Sequence, residues 1–321
     1  MKSNKIAVLT SGGDAQGMNA ALSIITRVAL HLGMEVYGVE RGYRGLYEGD
    51  FVRLDMHSIE NIENLGGSML KTSRFPDFQK EKILKKCVEN IKKENFDCVI
   101  VIGGDGSFKG AQALISHGVK VIGIPATVDN DLRYTEKCLG FDTAVNNACE
   151  YMINVKQTMS SLDRGAVFEV MGRYCGDIAL YSAASTACDI IAVPEKPIKE
   201  EEIISKAKEC MEKSGHIPTI VVAEKLFDVR SLAQKLTQVT GTEFKYSIVG
   251  YVQRGGAPTV GDKTLAMQFG VRAVELAKKG VYNKAIGIKG RKIFETTFDK
   301  ALSAEYNFNY ELLNLFYLLN K

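Results

Sequence analysis

The 321-residue sequence has little of several features that would assign a protein class directly. There are only four histidines, and their positions suggest neither a His-based metal site nor a catalytic triad. The seven cysteines are scattered, odd in number and never spaced CxxC. This pattern argues against a disulfide framework and a zinc site, and it favours free thiols in a reducing compartment. We therefore expect a cytoplasmic protein.

An excess of one charge and long apolar runs are also missing. The formal net charge is only +3, and no block of like charge stands out, so the composition does not favour a nucleic-acid-binding protein. No uninterrupted apolar run reaches the length of a transmembrane helix, and the first residues lack the apolar core of a signal peptide. We expect no membrane partner. The length allows two domains.

Short apolar runs alternate with amphipathic stretches along the chain. The predicted strands are 5–9, 35–39, 97–102, 120–124, 166–170, 190–194, 219–223, 246–252 and 285–288. Helical periodicity covers 17–32, 80–94, 107–117, 142–160, 175–186, 199–213, 228–239 and 262–279. Near-continuous apolar strands alternating with helices are typical of parallel sheets covered on both faces. The sequence therefore predicts an α/β fold.

Glycine and polar residues follow several of these strands. Three such segments are "TSGGD" (10–14), "GGDGS" (103–107) and "TVDNDL" (127–132). Three further polar residues at strand ends are Arg173, Glu224 and Arg254. In open parallel sheets, ligands bind beyond the carboxyl ends of the strands. We therefore expect a ligand site at this edge.

The aspartate segment 127–132 can be interpreted in two ways. If the backbone stays extended, Thr127, Asp129 and Asp131 point to one side, because strand side chains alternate. The alternative is a surface turn, since Asp and Asn favour turns. The position at a strand end favours the first interpretation.

The two glycine loops each join a strand to a helix. Gly12, Gly13 and Gly17 do not fit the GxGxxG pattern of dinucleotide-binding proteins, and the loop is not a Walker A motif. In the second loop, Asp105 can hold Mg²⁺ and Ser107 can cap the following helix. Each loop alone is compatible with a tight strand-to-helix turn. Together with carboxylates and arginines, they suggest phosphoryl transfer.

Eight motifs in order resemble the bacterial-type phosphofructokinase family. They are "TSGGDAQGMNA", "GYRGLY", "GGSMLKTSRFP", "VIGGDGS", "IPATVDND", "FEVMGRYCGD", "VVAE" and "GYVQRGG", between about Lys5 and about Ile288. The resemblance implies phosphoryl transfer from MgATP to the 1-hydroxyl of fructose 6-phosphate in glycolysis. It also implies two domains, each a mostly parallel sheet covered by helices on both faces, with the active site at the strand ends in the cleft. The expected nucleotide-binding domain is 1–138 with 252–302, and the sugar-phosphate domain is 139–251 with 303–321.

The resemblance also assigns roles to residues. Asp129 would be the general base, Thr127 and Asp131 would position the reactants, and Arg74 and Arg173 would offset transition-state charge. The implied nucleotide-site residues are Gly12, Gly13, Tyr43, Arg74, Phe75, Gly104, Asp105, Gly106, Ser107 and Gly110, with Asp105 as the metal ligand. The implied sugar-site residues are Thr127, Asp129, Asp131, Arg164, Met171, Gly172, Arg173, Glu224, Lys245, Tyr251 and Arg254. Arg164 and Lys245 match positions that act across a subunit boundary, which implies a homotetramer with shared active sites.

Four positions decide the expected specificity. Gly106 and Ala126 are small where pyrophosphate-dependent relatives carry an acidic residue and a lysine, which favours ATP as donor. Lys245 replaces the usual arginine, so a bidentate contact to phosphate becomes a point charge. Tyr251 stands where histidine is common. We predict weaker binding of fructose 6-phosphate, or tolerance of related ketose phosphates such as tagatose 6-phosphate or sedoheptulose 7-phosphate.

The effector site implied by the family is incomplete. Its matching residues are Arg27, Lys156, Asp189 and Lys213. Ser23, Met56 and Gly215 occupy positions that are normally basic, and each missing cation weakens the binding of a polyanion. We predict blunted control by ADP and phosphoenolpyruvate.

Other interpretations remain open. A kinase of the same fold could use pyrophosphate or another ketose phosphate, and a non-catalytic nucleotide-binding subunit would keep the fold without the reaction. A nicotinamide-dependent dehydrogenase lacks its fingerprint glycines. The C-terminal stretch 307–321 predicts an amphipathic helix that packs on the second domain.

Overall fold

The computed structural model of the chain describes residues 4–305 and 308–320. The strands of this part are β1 (Lys5–Ser11), β2 (Glu35–Val39), β3 (Phe51–Leu54), β4 (Cys98–Gly103), β5 (Val121–Pro125), β6 (Gly165–Val170), β7 (Ile190–Ala192), β8 (Thr219–Ala223), β9 (Phe244–Ile248), β10 (Lys284–Lys289) and β11 (Lys292–Thr296). The predicted alternation of strands and helices is confirmed.

The helices separate these strands. They are α1 (Met18–His31), α2 (Tyr43–Glu48), α3 (Glu81–Lys93), α4 (Asp105–Ser116), α5 (Phe141–Ser161), α6 (Asp177–Ser185), α7 (Glu200–Ser214), α8 (Val229–Thr240), α9 (Val260–Lys278), α10 (Phe298–Leu302) and α11 (Tyr310–Leu319). Short 3₁₀ helices lie at Ile62–Asn64, Pro76–Gln79 and Gly250–Arg254. In the part of the chain that the structure describes, we find no helix long and apolar enough to cross a membrane.

The chain forms two units, and each has its own sheet. The first unit runs up to Thr143 and resumes at Arg254, while the second runs from Ala144 to Gln253 and includes α11. The unit limits therefore lie a few residues from the domain limits expected at 138 and 252.

The sheet of the first unit has the order β11-β10-β5-β4-β1-β2-β3. Its five central strands are parallel, and the edge strands β3 and β11 pair antiparallel with β2 and β10. Ser11 pairs with Gly103, and Gly103 pairs with Pro125, so the ends of β1, β4 and β5 are level. The three polar segments predicted from the sequence therefore leave the sheet side by side.

Apolar side chains on both faces explain why these strands lie inside the unit. A buried cluster joins Leu9 of β1 and Val101 of β4 to Leu84 of α3 and Phe108 of α4. Helices α1 and α9 contact each other, and α9 also contacts β5. Burying an apolar side chain of this size contributes about 1.5–3 kcal/mol, so the core fixes the strand ends firmly.

The sheet of the second unit has the order β7-β8-β6-β9 and is parallel throughout. Its core joins Val167, Ile220 and Val222 to Ile203 of α7 and Leu232 of α8. The predicted C-terminal helix is present as α11, which contacts α6 within this unit. Residues 307 and 321 of that prediction lie outside the described residues.

The predicted strand that corresponds to β9 was misplaced. The apolar run 246–252 predicted a strand, but β9 spans Phe244–Ile248, and a 3₁₀ helix begins at Gly250. Gly250 has φ 55°, in the left-handed region, which ends an extended segment. Phe244 lies against Gly165, where a Cβ would come within 2.2 Å of the phenyl ring, so packing explains the earlier start. The sequence also missed β3, β11, α2 and α10.

Candidate active site

The two glycine loops of the first unit pack against each other. A Cβ on Gly103 would lie 2.4 Å from Ser107 Oγ and 2.6 Å from the carbonyl oxygen of Ser11. A Cβ on Gly12 would lie 3.3 Å from Ser107 Oγ, and Gly12 has φ 90°. Because a larger residue would separate the loops, glycine at these positions lets both backbones approach one point.

Ser107 lies at that point and differs from the prediction. Helix α4 begins at Asp105 after Gly104, which makes no side-chain cap, so the expectation that Ser107 caps the helix was wrong. Ser107 is 3% exposed, and its Oγ lacks a hydrogen-bond partner within the described part of the chain. A buried hydroxyl without a partner costs free energy, so this atom suits a ligand oxygen. The first-turn N–H groups of α4 favour an anion in the same place.

Asp105 begins this helix and forms an ion pair with Lys109, with 2.7 Å between Oδ2 and Nζ. Among the residues the structure describes, no group of three His, Cys, Asp or Glu side chains could hold a metal ion. Mg²⁺ is commonly held by one or two carboxylates together with substrate phosphates. The donor set around Asp105 therefore fits magnesium that arrives with a polyphosphate.

Tyr43 of α2 supports the first turn of α4. Its hydroxyl donates a hydrogen bond of 2.5 Å to the carbonyl oxygen of Ser107, and its ring stacks on Phe78 with 4.0 Å between centroids. Burial raises the pKa of the Tyr43 phenol well above its usual range, so it remains a donor. Gly110 gives the ring room, because a Cβ there would lie 2.6 Å from it. Phe75 lies near Phe78, and Arg74 is exposed.

The aspartate segment forms a turn, so the expected extended backbone was wrong. The Asp129 N–H donates to Thr127 Oγ1 at 3.2 Å, and Asn130 adopts φ 51°. The Asn130 amide donates to the carbonyl oxygen of Glu136 and accepts from the N–H of Cys138. Asn130 therefore holds the turn, a role that the sequence reading missed although Asn tolerates this conformation.

The side chains of this turn still alternate. Thr127, Asp129 and Asp131 are half-buried, whereas Val128, Asn130 and Leu132 are buried. Thr127 also lies against the second glycine loop, since a Cβ on Gly104 would be 3.3 Å from its Cβ. The hydroxyl-bearing residue and the Asp105 loop are thus neighbours in one unit.

Arg254 belongs to the same edge of the first unit. Its Nη1 donates to the carbonyl oxygen of Asp14 at 2.7 Å, and a Cβ on Gly13 would lie 2.7 Å from that nitrogen. The guanidinium therefore packs on the first glycine loop. Its expected contact with a sugar phosphate stays a prediction.

The loop after β6 in the second unit carries Met171, Gly172 and Arg173. The Arg173 N–H donates to Glu224 Oε1 at 2.7 Å, and the Met171 N–H donates to Gln253 Oε1 at 3.2 Å. Arg173 has φ 60°, and its side chain is exposed. The structure thus brings Glu224 to this loop. Gln253 is fully buried, and the sequence reading did not identify it.

Glu195 holds the far end of the same loop, and the sequence reading missed it as well. Its Oε1 accepts a hydrogen bond of 2.8 Å from the N–H of Gly176, just before α6. A Cβ on Gly176 would lie 2.4 Å from Oε2, so a larger residue could not replace this glycine without movement. The sequence feature that could have identified Glu195 is its position as a carboxylate three residues after the end of β7.

Arg164 and Lys245 share one carboxylate in the second unit. Arg164 Nε pairs with Glu243 Oε2, and Lys245 Nζ lies 2.5 Å from Glu243 Oε1. The hydrogen bond from Lys245 and the charge of Arg164 lower the pKa of Glu243. The two cations predicted to bind one phosphate are therefore close together. Tyr251 is exposed.

The four effector-site candidates all have local partners. Arg27 pairs with Glu63 at 3.7 Å, and Lys213 pairs with Glu209 at 2.5 Å. Lys156 donates to the carbonyl oxygens of Thr186 and Ala187, and Asp189 lies 3.2 Å from His216 Nε2. Lys156 and Gly215 line one cavity of about 660 Å³ in the second unit. Binding of an effector there stays a prediction.

The first unit defines a class of protein: an α/β fold with glycine loops and carboxylates at one sheet edge, an arrangement suited to an anionic ligand. Comparison with known proteins then gives the family. The family model described as Phosphofructokinase matches residues 5–277, and the chain belongs to this family. It is 44% identical over 317 residues to ATP-dependent 6-phosphofructokinase 1 of Clostridium perfringens, covering 99% of both chains. It is 42% identical over 315 residues to ATP-dependent 6-phosphofructokinase of Clostridioides difficile, covering 98% of this chain and 99% of that protein.

Solved structures agree with this assignment. Phosphofructokinase from Saccharomyces cerevisiae aligns with a TM-score of 0.88 and 29% identity, over 98% of this chain and 50% of that chain. Phosphofructokinase from Pichia pastoris gives a TM-score of 0.88 and 28% identity, over 94% of this chain and 36% of that one. The chain spans half or less of either yeast chain. The predicted α/β fold with mostly parallel sheets is confirmed.

Proposed function

We propose that the protein is an ATP-dependent 6-phosphofructokinase that transfers a phosphoryl group from ATP to the 1-hydroxyl of fructose 6-phosphate in glycolysis. The observation that carries the proposal is the level ends of β1, β4 and β5, which place two anion-attracting glycine loops beside Thr127 and its aspartates. The names of the bacterial relatives support the same reaction. Positioning and charge stabilisation are the main demands of phosphoryl transfer.

The residues that the family resemblance singled out have these roles in the proposal. Asp129 accepts the proton of the sugar hydroxyl as general base, while Asp131 and Thr127 orient the acceptor and the migrating group. Arg74 and Arg173 offset the charge that spreads over the equatorial oxygens. Asp105 is the residue that would hold magnesium, which when bound neutralises nucleotide phosphate charge. The Ser107 hydroxyl and the first turn of α4 bind phosphate oxygens.

ATP is the proposed donor rather than pyrophosphate. A Cβ on Gly106 would meet no atom within 4 Å, so the first turn of α4 leaves space for a nucleotide. Ala126 is buried and small, and an acidic residue with a lysine at these two places would fill that space. A pyrophosphate-dependent kinase remains the rival, and it is separated by supplying each donor in turn.

A related ketose phosphate is a second candidate acceptor. Lys245 supplies a point charge where an arginine would bind phosphate in two places, and it already pairs with Glu243. This arrangement supports weaker selection of fructose 6-phosphate against tagatose 6-phosphate or sedoheptulose 7-phosphate. Equal kcat/KM values for the three sugars would favour the broader activity, whereas a strong preference for the fructose compound would exclude it.

Assembly, control and location are further parts of the proposal. The protein forms a cytoplasmic homotetramer with active sites shared between subunits, and Ser23, Met56 and Gly215 leave it weakly responsive to ADP and phosphoenolpyruvate. A non-catalytic regulatory subunit is disfavoured, because such a chain needs neither Asp105 nor Asp129. Light scattering tests the tetramer. A strong shift of the rate curve by millimolar phosphoenolpyruvate would contradict the weak control.

The decisive experiment is a coupled assay with fructose 6-phosphate and Mg²⁺, supplied with either ATP or pyrophosphate. Asp129→Asn should lower kcat by about 10²–10⁴-fold, the usual contribution of a general base. Asp299→Asn, at an exposed aspartate of α10, is the matched control and should keep the wild-type rate. Wild-type activity in Asp129→Asn, or no turnover of ATP with any ketose phosphate, would refute the proposal.

A further inference from the structure

Lys109 of α4 lies beside Asp105, the residue proposed to hold magnesium. It lies one turn after Asp105 on α4, and its Nζ is 2.7 Å from Asp105 Oδ2. The order of the pair, an acid four residues before a base, is favourable in a helix, and Glu81 and Lys85 form the same arrangement at the start of α3. An exposed pair of this kind contributes only weakly to stability. What distinguishes Lys109 is therefore its place beside the residue proposed to hold magnesium.

The surroundings of Lys109 point to a ligand. Gly106 lies three residues before it, on the same side of the helix, and faces open space. Ser107 Oγ is buried without a hydrogen-bond partner in the described part of the chain. The lysine side chain is 54% exposed and has a flexible four-carbon stem, so its charge can move by several ångströms.

We propose that Lys109 is a counter-cation built into the nucleotide site. It neutralises Asp105 while no metal is bound, and it binds a nucleotide phosphate when a divalent metal takes the carboxylate. The inference rests on the proposed function, because it concerns the metal and nucleotide of that site. Two cations cannot share Asp105 at close range without repulsion, so one must leave when the other binds.

This arrangement has two consequences of opposite sign. The metal must displace the lysine from Asp105, which weakens metal binding compared with a carboxylate that has no competitor. Without metal, the lysine neutralises Asp105, so the carboxylate repels the nucleotide phosphates less and metal-free nucleotide binds more tightly. Removing the lysine should therefore strengthen metal binding and weaken metal-free nucleotide binding at the same time.

The test measures ADP binding by calorimetry, in EDTA and across a Mg²⁺ titration, for wild type and Lys109→Met. Metal-free ADP should bind about twofold to fivefold more weakly in the variant, and half-saturating Mg²⁺ should fall by about the same factor, which is the range of exposed charge pairs. Lys109→Arg keeps the charge and should retain metal-free binding. Lys85→Met removes a lysine paired with Glu81 four residues before it on α3, and should change neither value.

Three results would overturn the proposal: no change in either quantity in Lys109→Met, a change of both in the same direction, or equal effects in Lys85→Met. Failure of the proposed function is distinguishable from these. A wild-type protein that binds ADP as described but phosphorylates no ketose phosphate would refute the function and leave the lysine's role intact.

Discussion

Two glycines of α4 offer a matched test of how the nucleotide site is packed. Gly106 and Gly110 lie one turn apart in the same helix, and neither has a positive φ. A Cβ on Gly106 would meet no atom within 4 Å, whereas a Cβ on Gly110 would lie 2.6 Å from the ring of Tyr43. Replacing each by alanine therefore makes the same chemical change in open space and in a packed site.

The magnitude follows from two opposing terms. Alanine is favoured over glycine in a helix by up to about 1 kcal/mol, and this gain applies to both variants. At Gly110, the methyl group also forces Tyr43 from its stack on Phe78, and overpacking of this kind costs about 1–3 kcal/mol. We expect Gly106→Ala to be neutral or stabilising. Gly110→Ala should be less stable than Gly106→Ala by about 1–3 kcal/mol.

Thermal unfolding of the ligand-free variants measures the difference. For a folding unit of 150–250 residues, each kcal/mol shifts Tm by about 2–4 °C. Gly110→Ala should also bind ADP more weakly. The added methyl group would displace Tyr43 and disturb its hydrogen bond to the carbonyl oxygen of Ser107 in the first turn of α4. Equal Tm values for the two variants would refute the packing argument, since the shared helix term cancels in the comparison.

Three further predictions concern other parts of the chain. Glu195→Ala should raise KM for fructose 6-phosphate while Glu195→Gln keeps most of the affinity, because only the second retains an acceptor for Gly176 N–H; equal KM values in steady-state kinetics would contradict this. The carbonyl oxygen of Ala113 and then the Glu81 carboxylate raise the pKa of His117 above 6.5. Protonated His117 therefore stabilises the folded protein below pH 6.5, and this stabilisation is lost as the pH rises through the folded-state pKa. His117→Gln should therefore be less stable than wild type in urea at about pH 6 and equal to it at about pH 8.5, and equal losses at both would refute the assignment. Lys245→Arg should lower KM for fructose 6-phosphate and favour it over the other ketose phosphates, which a three-sugar assay measures.

The strand ends could be predicted from the sequence because their signals are local. Alternating apolar runs and helices imply parallel strands, and parallel strands have their carboxyl ends at one edge. This reasoning correctly placed the loops that contain Gly12, Gly104 and Thr127 side by side. The edge strands β3 and β11 were not predicted, because short, partly exposed antiparallel strands carry a weaker apolar pattern.

The backbone conformation within the loops depends on contacts between residues that are separated in the sequence. Such contacts cannot be inferred from local apolar patterns. Asn130 makes the aspartate segment a turn because its amide reaches Glu136 and Cys138, a pairing that no alternation pattern contains.

Ser107 looked like a cap because serine favours that position, yet it lies inside the first turn because Gly103 and Gly12 leave room for its hydroxyl. At Ser107 a local preference was overridden by a close approach of two loops that only glycine permits, whereas at Asn130 the turn agrees with the tolerance of asparagine for this conformation. The same approach leaves a buried hydroxyl and a row of N–H groups facing the ligand edge. The departure at Ser107 therefore falls at a residue that the proposed chemistry uses, as expected where a site and not the core determines the local sequence.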